Sequence, residues 1–404
     1  MSFSQGISGL GVAAANLDVI GNNIANSGTV GYKSAAATFQ DVYAGSRIGL
    51  GASVSGVVQN FTQGVTQTSS RPLDVAILNG DGFYRLASAS GEVMYSRNGQ
   101  FTKDKDGYIV NASGLRLTGY GVNASGGING GTPSAIQIPT AAMPPNATTG
   151  VDAEFNLDSR STAPTKTPFD PNDSDTFNYS NAVGPVYDSL GNPHDLALYF
   201  VKTGAGTWDA YGSIDGAAAN GGAALANMTF DPNGNLTLPA GGAITLPTQT
   251  FPNGSAPLDV AIDISGTTQF GATNAMSKLS QDGYTSGELT AYSINPDGTI
   301  TGKFSNEQSK LLGQVVLSSF ANPNGLEPKG ENMWAETLAS GQALTGTPGE
   351  GTKLGALASG ALESSNVDLT SELVNLIVAQ RNYQANAQTV KTQDQVMQTL
   401  MNIR

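Results

Sequence analysis

The sequence predicts a mainly β protein with terminal α-helices that pair as an antiparallel coiled coil, and with two β-rich domains between them. Three observations lead to this fold class. Residues 361–404 contain no glycine or proline, although the 404-residue chain has 51 glycines and 19 prolines. The first 32 residues carry a second apolar heptad repeat. Between the two ends, Asp-Gly and Asn-Gly pairs recur among short apolar runs, which is typical of antiparallel strands joined by tight turns.

The C-terminal segment, residues 359–404, predicts one long helix because residues 361–404 contain no helix breaker and apolar residues follow a 3-4 spacing. This spacing places the apolar side chains in one narrow stripe, which is interrupted at Gln380 and Asp394. A helix with such a stripe needs a partner that covers it. The stripe consists of Leu369, Leu373, Leu376, Tyr383, Ala387, Val390, Met397 and Met401.

The N-terminal segment, residues 1–32, predicts the partner helix. Two such helices pack antiparallel, and at about 1.5 Å per residue roughly 22 residues span ~33 Å whereas roughly 34 residues span ~50 Å. The longer helix then exposes part of its stripe, which favours an interface with other molecules. An intramolecular hairpin that caps a globular core is an equal alternative on this pattern. The N-terminal stripe consists of Phe3, Ile7, Leu10, Ala14, Leu17 and Ile24, with Gly21 at the vacant position.

The middle of the chain predicts antiparallel β structure in two domains. A composition change at 126–150 and another at 281–287 mark crossings between domains. We therefore expect a connecting segment at 33–70, a first β domain built from 71–145 with 285–358, and an outer β domain at 146–284 inserted into the first. Hairpin turns are expected at 105–108, 232–235 and 296–299, and strands at 74–77, 108–110, 196–201 and 314–317.

Composition excludes several classes of function. With 19 basic and 32 acidic residues the net charge is −13, which disfavours nucleic-acid binding. There is no cysteine, and the single histidine, His194, is expected to be a solvent-facing turn residue. We predict no catalytic residues, no metal site and no cofactor. The first residues lack the basic and apolar regions of a cleaved secretory signal, and no stretch is long and apolar enough to insert into a membrane.

A motif follows the first helix, in the run NLDVIGNNIANSGTVGYKS at 16–34. Taken by itself it predicts a helix end, since asparagine bonds nearby backbone and Gly28 and Gly31 permit positive φ. The run also resembles the N-terminal signature of the bacterial flagellar rod and hook axial protein family. The matching residues are Asn22, Asn23, Ala25, Asn26, Gly31, Tyr32 and Lys33.

Three further segments resemble the same family in the same order. They are RPLDVAILNGDGFYRL at 71–86, YSRNGQFTKDKDGYIVNASGLRLTGY at 95–120, and GALESSNVDLTSELVNLIVAQRNYQANAQTVKTQDQVMQTL at 360–400. Within the family the large insertion is similar to that of hook subunits. Two alternatives remain: a distal rod or hook-filament junction protein, and a secreted β-rich carbohydrate-binding protein.

The resemblance implies a structural subunit of the flagellar hook that self-assembles into a flexible tube, a universal joint that transmits torque from rod to filament. It also implies an extracellular location reached through the flagellar type III export apparatus. Further implied partners are the distal rod protein, the hook cap protein, the hook-filament junction protein and the hook-length control protein. We expect polymerisation contacts at Ile7, Leu10, Leu17, Ile24, Leu369, Leu373, Leu376, Tyr383, Val390 and Met397.

Overall fold

The structure is a computed structural model that describes residues 3–42, 50–123 and 125–402. It is mainly β with one helix toward each end of the chain, as predicted. Helix α1 spans Phe3–Ala25 and helix α2 spans Leu369–Asn402. Their lengths of 23 and 34 residues agree with the heptad repeats. The described residues between them form strands, turns and three short 3₁₀ segments.

The strands are numbered in chain order. They are β1 (Ala35–Val42), β2 (Gly51–Gln59), β3 (Thr66–Thr68), β4 (Val75–Leu78), β5 (Phe83–Ala87), β6 (Val93–Ser96), β7 (Thr102–Lys103), β8 (Ile109–Val110), β9 (Arg116–Tyr120), β10 (Ser134–Ala135), β11 (Gly150–Asp158), β12 (Tyr179–Tyr187), β13 (Pro193–Gly204), β14 (Thr207–Ile214), β15 (Ala217–Ala218), β16 (Ala226–Phe230), β17 (Leu236–Leu238), β18 (Ala243–Thr245), β19 (Ala261–Asp263), β20 (Thr268–Phe270), β21 (Ala275–Gln281), β22 (Leu289–Ile294), β23 (Thr299–Phe304), β24 (Ser309–Val315), β25 (Leu317–Ser319), β26 (Glu327–Gly330), β27 (Met333–Ala335), β28 (Leu344–Gly346), β29 (Ala356–Ser359) and β30 (Ala361–Glu363).

The chain divides into two compact units. Unit 1 comprises Met1–Thr140, Thr290–Lys303 and Ser309–Arg404, and unit 2 comprises Ala141–Leu289 and Phe304–Gln308. Unit 1 contains both helices and a large sheet with the strand order β22-β23-β24-β9-β5-β6-β27-β26. An aromatic cluster lies in its core, where Phe61 meets the rings of Phe83 and Trp334 edge-on at 5.4 and 5.6 Å.

Unit 2 has two sheets, one in the order β12-β13-β14-β16-β17 and one in the order β18-β19-β11-β20, with β15 on β14 and β21 on β11. Alternate residues of β13, namely Leu196, Leu198 and Phe200, are fully buried, which is the period-2 pattern of a strand with one face in a core. Trp208 of β14 is buried in the same apolar cluster. This arrangement confirms the strand predicted at 196–201.

The three predicted hairpin turns are present. They join β7 to β8, β16 to β17 and β22 to β23, and the glycines at 107, 234 and 298 have φ between 81° and 88°. These are left-handed conformations that favour glycine. The strand expected at 314–317 was only partly right, because the chain leaves β24 after Val315 and enters β25 at Leu317.

Two local predictions need correction. The segment 33–70, expected as a connector, contains an antiparallel hairpin of β1 and β2 that packs on α1. The C-terminal helix was expected from residue 359, but residues 361–363 form β30, which pairs with β3. Helix α2 starts later because the Asp368 carboxylate accepts hydrogen bonds from the Thr370 and Ser371 amides, as an N-cap residue does. Neither α1 nor α2 is long and apolar enough, within its described residues, to cross a membrane.

Candidate functional site

The terminal helices contact each other through small residues. A Cβ placed on Gly6 would lie 2.7 Å from Val390 Cγ2, and one on Gly9 would lie 2.8 Å from Asn386 Oδ1. Both distances are below normal contact, so the backbone of α1 approaches α2 closely at these glycines. Since residue numbers fall along α1 as they rise along α2, the helices run in opposite directions.

The face of α1 that meets α2 is displaced by one residue from the predicted stripe. Its buried residues are Gly6, Ala13, Ile20 and Asn23, and Ala379 is buried on α2. Large side chains at the heptad positions would hold the helix axes apart, whereas glycine and alanine allow close approach. The 3-4 spacing of Gly6, Gly9 and Ala13 was the signal in the sequence that heptad counting of large residues missed.

None of the ten predicted contact residues is fully buried in this helix pair, although Val390 meets α1 at Gly6. Ile7 is 51% exposed and Met397 is 57% exposed. Leu369, Leu373 and Tyr383 are also exposed, and the other five are half-buried: Leu10, Leu17, Ile24, Leu376 and Val390. Their exposure leaves them available to another molecule, and their role in polymerisation remains a prediction.

Helix α2 extends beyond α1, as the unequal stripe lengths predicted. Gly6 lies opposite Val390. Met397 lies one heptad further along the same face of α2, so no described residue of α1 lies across from it. Met401 continues this uncovered face and is exposed. Two open clefts of about 370 and 260 Å³ lie where Ala379 and Asn16 approach the β1–β2 hairpin. The helix pair is thus incompletely covered along its length.

The β1–β2 hairpin adds further exposed apolar surface to unit 1. Such side chains cost free energy in water unless another surface covers them. Sequence reasoning missed this hairpin because its apolar residues lie among alanines, glycines and serines. The exposed apolar residues on its two strands and beside them are Phe39, Val42, Leu50, Val54, Val57 and Val58.

Asn23 of the family motif joins three segments of the chain. Its amide Nδ2 donates to Ala35 O at 2.8 Å and to Glu372 Oε1 at 3.1 Å. Its Oδ1 accepts from the Ala35 amide at 2.9 Å and from the Tyr32 hydroxyl at 3.2 Å. The side chain is buried, and it connects the end of α1 to the hairpin and to α2. The motif prediction assigned asparagine only local bonds, which holds for Asn22 and Asn26 but not for Asn23.

Gly31 of the motif sits where only glycine fits. Its φ is 70°, and a Cβ there would lie 2.8 Å from backbone atoms of Arg97 and Asn98. Its amide donates to Glu363 O at 2.8 Å. Gly28 is not among the residues with positive φ, so that part of the expectation was wrong. Ala25, also in the motif, is the exposed last residue of α1.

Lys33, the last motif residue, belongs to a buried charge cluster with Glu363 and Arg97. Lys33 Nζ donates to Glu363 Oε1 at 2.6 Å and to Thr62 O at 2.7 Å. Arg97 Nη1 is 3.9 Å from Glu363 Oε2, and neither atom has a hydrogen-bond partner among the described residues. The three side chains come from the N-terminal motif, the segment that follows β6 and the segment that leads into α2. Glu363 and Arg97 were missed as site residues, although both lie in segments that carry the family resemblance.

Burial alters the pKa of the groups in and around this cluster. It lowers the pKa of Lys33, against the opposing effect of the Glu363 carboxylate, and it lowers the pKa of Arg97 in the same way. Burial also raises the pKa of Tyr84 well above its usual value, and Glu363 adds to this effect. For Tyr32, burial followed by the Glu372 carboxylate raises the pKa.

The described residues contain no group of three or more histidine, aspartate or glutamate side chains arranged to hold a metal ion. The site combines the buried charges of Lys33, Arg97 and Glu363 with exposed apolar side chains on α1, α2 and the β1–β2 hairpin. Such a surface suits binding to another protein surface.

Family models match four segments of the chain. Residues 5–33 match the model described as flagella basal body rod protein, and 77–153 match the flagellar hook protein FlgE/F/G D1 domain. Residues 156–284 match the flagellar basal body protein FlaE D2 domain. Residues 358–403 match the flagellar basal body rod FlgEFG protein C-terminal region.

Full-length relatives carry a consistent description. The chain is 48% identical over 410 residues to the flagellar hook protein FlgE of Salmonella typhimurium, and 48% identical over 408 residues to that of Escherichia coli, with full coverage of both chains in each case. It is 31% identical over 473 residues to the flagellar hook protein FlgE of Treponema pallidum. The crystal structure of Helicobacter pylori flagellar hook protein FlgE2 has a similar fold, with a TM-score of 0.51 and 15% identity. That match covers 74% of this chain and 99% of the other.

Proposed function

Since the chain belongs to the flagellar hook protein FlgE family and is a structural subunit of the flagellar hook, we propose that it assembles with copies of itself through the terminal helices of unit 1. The observation that carries this proposal is the uncovered length of α2. Near Gly6, α1 covers one face of α2. Met397 and Met401 continue this face of α2, and no described part of the subunit covers them.

In the polymer, the paired helices form an antiparallel coiled-coil layer that lines the tube. The ten predicted contact residues then face neighbouring copies. Of the five exposed ones, Met397 lies on the uncovered length of the α2 face that meets α1. The half-buried ones border the contact between α1 and α2. Identical subunits that meet through different surfaces produce an open helical assembly. The tube acts as the universal joint that transmits torque from rod to filament.

The segment 146–284 is a domain inserted into the first β domain, and it faces outward in the tube. Its ends lie close together, which supports this proposal: the Asn146 amide donates to Tyr284 O at 3.0 Å, and the Tyr284 amide donates back to Asn146 O at 3.0 Å. An insertion whose ends are paired in this way leaves the strands of the host domain continuous.

We propose further partners from the family membership. The tube joins the distal rod protein at one end and the hook-filament junction protein at the other. The hook cap protein and the hook-length control protein act during its growth. The flagellar type III export apparatus carries the subunit outside the cell.

Electron microscopy of the purified chain under salting-out conditions tests the assembly. We expect tubes from the wild-type chain and none from Met397→Asp, because a carboxylate buried without a partner at every repeated contact costs several kcal/mol. Gln395→Asp is the matched control, since it places the same residue two positions away on the opposite, exposed side of α2. It should form normal tubes.

Both variants should keep the wild-type far-UV circular dichroism spectrum as monomers, because each changed side chain is exposed in the subunit. Normal tubes from Met397→Asp would show that the uncovered face of α2 makes no contact between copies. Failure of all three chains to assemble would contradict self-assembly of the purified protein.

A further inference from the structure

Two side chains have an exposure opposite to the one expected from their chemistry. His194 was expected to face solvent in a turn, but its side chain is only 11% exposed, and its ring stacks on Phe251 with 3.5 Å between centroids. Leu338 is the reverse case. It is 105% exposed, more than any other large apolar side chain among the described residues. Single exposed apolar residues are common at protein surfaces, so the surroundings of Leu338 decide whether its exposure has a function.

The turn that carries Leu338 is held in one conformation by hydrogen bonds. Thr337 Oγ1 donates to Gly325 O at 2.5 Å and accepts from the Ala339 and Ser340 amides at 3.1 and 3.2 Å. Ser340 Oγ accepts from the Thr337 amide at 3.0 Å and donates to Thr337 O at 2.8 Å. Ser340 is fully buried. These bonds fix the backbone on both sides of the exposed leucine.

A second segment of the chain packs against this turn. The Asn322 amide donates to Ser340 O at 3.2 Å, and Asn322 Nδ2 donates to Ala339 O at 3.0 Å. A Cβ on Gly325 would lie 2.4 Å from Ala339 C and 2.5 Å from Ser340 N, so the two backbones touch there. Covering Leu338 therefore requires no ordering of the backbone, which removes one of the main costs of association.

The two segments that meet here carry no charge. Residues 318–326 and 337–349 contain no acidic or basic side chain. They also carry Leu344 of β28, which is 65% exposed. The centres of protein interfaces are depleted in charged residues and contain apolar anchors. Copies of a chain with a net charge of −13 repel one another, and an uncharged surface is where two copies approach with the least repulsion.

We propose that the Leu338 turn, residues 337–340, is a contact surface for a second copy of this chain, with Leu338 as the anchor that the neighbour covers. The inference rests on the proposed function, because it adds a second contact to the polymer proposed there. The first contact uses Met397 and Met401 of α2, whereas the Leu338 turn lies among the strands of unit 1. Identical subunits that meet through unlike surfaces build an open helix, so the anchor is covered once in every subunit of the tube.

Assembly of the purified full chain tests the anchor. Sedimentation gives the critical concentration for tube formation. We expect Leu338→Asp to raise it by at least about tenfold, because the carboxylate loses its water at every repeated contact. Leu338→Met keeps an apolar side chain of similar volume and should stay within about threefold of wild type. Leu190→Asp is the matched control and should assemble like wild type, since Leu190 is 57% exposed but belongs to unit 2.

Thiol reactivity measures the contact directly and does not require the variant to assemble by itself. The chain has no cysteine, so Leu338→Cys carries a single thiol. When Leu338→Cys is mixed as a small fraction into wild-type tubes, its thiol should react with a maleimide at least about tenfold more slowly than in the monomer, since an interface anchor is shielded from water. Leu190→Cys is the control and should react at similar rates in both states.

The outcomes separate this inference from the proposed function. If the wild-type chain forms no tubes, the proposed function fails and this inference fails with it. If wild type and Leu338→Asp form tubes at the same concentration, or if the thiol of Leu338→Cys reacts equally fast in tubes and monomer, this inference alone is overturned. An equal rise in critical concentration for Leu338→Asp and Leu190→Asp would also overturn it, because the effect would then not be specific to the Leu338 turn.

Discussion

The two units divide charge and apolar surface unequally. Unit 2 contains 16 acidic and four basic residues, whereas unit 1 contains 16 acidic and 15 basic residues, so nearly all of the net charge of −13 belongs to unit 2. Of the 24 large apolar side chains exposed in the described residues, 20 belong to unit 1 and four to unit 2. Like charges repel and exposed apolar surface associates. The comparison supports the proposal that contacts between copies are made mainly by unit 1.

The largest expected effect is a loss of stability in unit 1 that leaves unit 2 unchanged. Lys33→Met leaves Glu363 charged and buried without its closest partner, which should lower the free energy of unfolding of unit 1 by about 3–5 kcal/mol. Unit 2 should be unchanged. Urea unfolding followed by Trp334 in a Trp208→Phe background reports unit 1, and Trp208 in a Trp334→Phe background reports unit 2. An equal loss in both units would contradict their independence.

A double variant distinguishes charge from packing at the same position. Lys33→Met with Glu363→Leu removes the unpaired carboxylate but leaves the buried Arg97 without its anionic partner, so it should recover only part of the loss. If the double variant is no more stable than Lys33→Met, the buried charge of Glu363 is not the cause of the loss.

Acid should act more strongly on unit 2, and alkali more strongly on unit 1. In unit 2, hydrogen bonds outweigh burial and lower the pKa of Asp188 and Asp282, so the stability they supply is complete above about pH 3.9 and is lost as the pH falls further. In unit 1, burial followed by Glu336 raises the pKa of Tyr95 to about 12, and that stability is lost as the pH rises from about 10 toward 12.

The same two tryptophan reporters measure this difference. We expect Trp208 to register unfolding first below about pH 4 and Trp334 to register it first above about pH 10. Asp188→Asn should lower the stability of unit 2 at pH 7 and flatten its acid dependence. Simultaneous unfolding of both units at each extreme would show that the division of titrating groups has no effect.

The smallest expected effect compares two glycines of α1. A Cβ on Gly21 meets no atom within 4 Å, so Gly21→Ala should stabilise the helix by about 1 kcal/mol. Gly6→Ala places its methyl 2.7 Å from Val390 Cγ2 and should instead destabilise the helix pair by about 1 kcal/mol. Thermal loss of the helical circular dichroism signal measures both. Equal stabilisation by the two substitutions would mean that the helices do not pack closely at Gly6.

Local patterns predicted the elements better than their contacts. The absence of breakers indicated α2, and Asp-Gly and Asn-Gly pairs located three hairpins, because helix and turn formation depend on neighbouring residues. The contact face of α1 was missed since it depends on how closely two backbones approach. The partners of Lys33 were missed because Arg97 and Glu363 lie 64 and 330 positions further along the chain. No spacing rule connects residues at such separations.

The contacts of Asn23 and Lys33 also bear on the order of folding. Asn23 bonds to Glu372 and Lys33 to Glu363, at sequence separations of 349 and 330 residues. Closing loops of this length costs conformational entropy before any contact compensates for it. The β sheets of each unit contain many pairings between neighbouring strands and can form earlier. We therefore expect the connection between the two terminal segments to be among the last native contacts to form, so that the sheets of a subunit fold before its helices are joined.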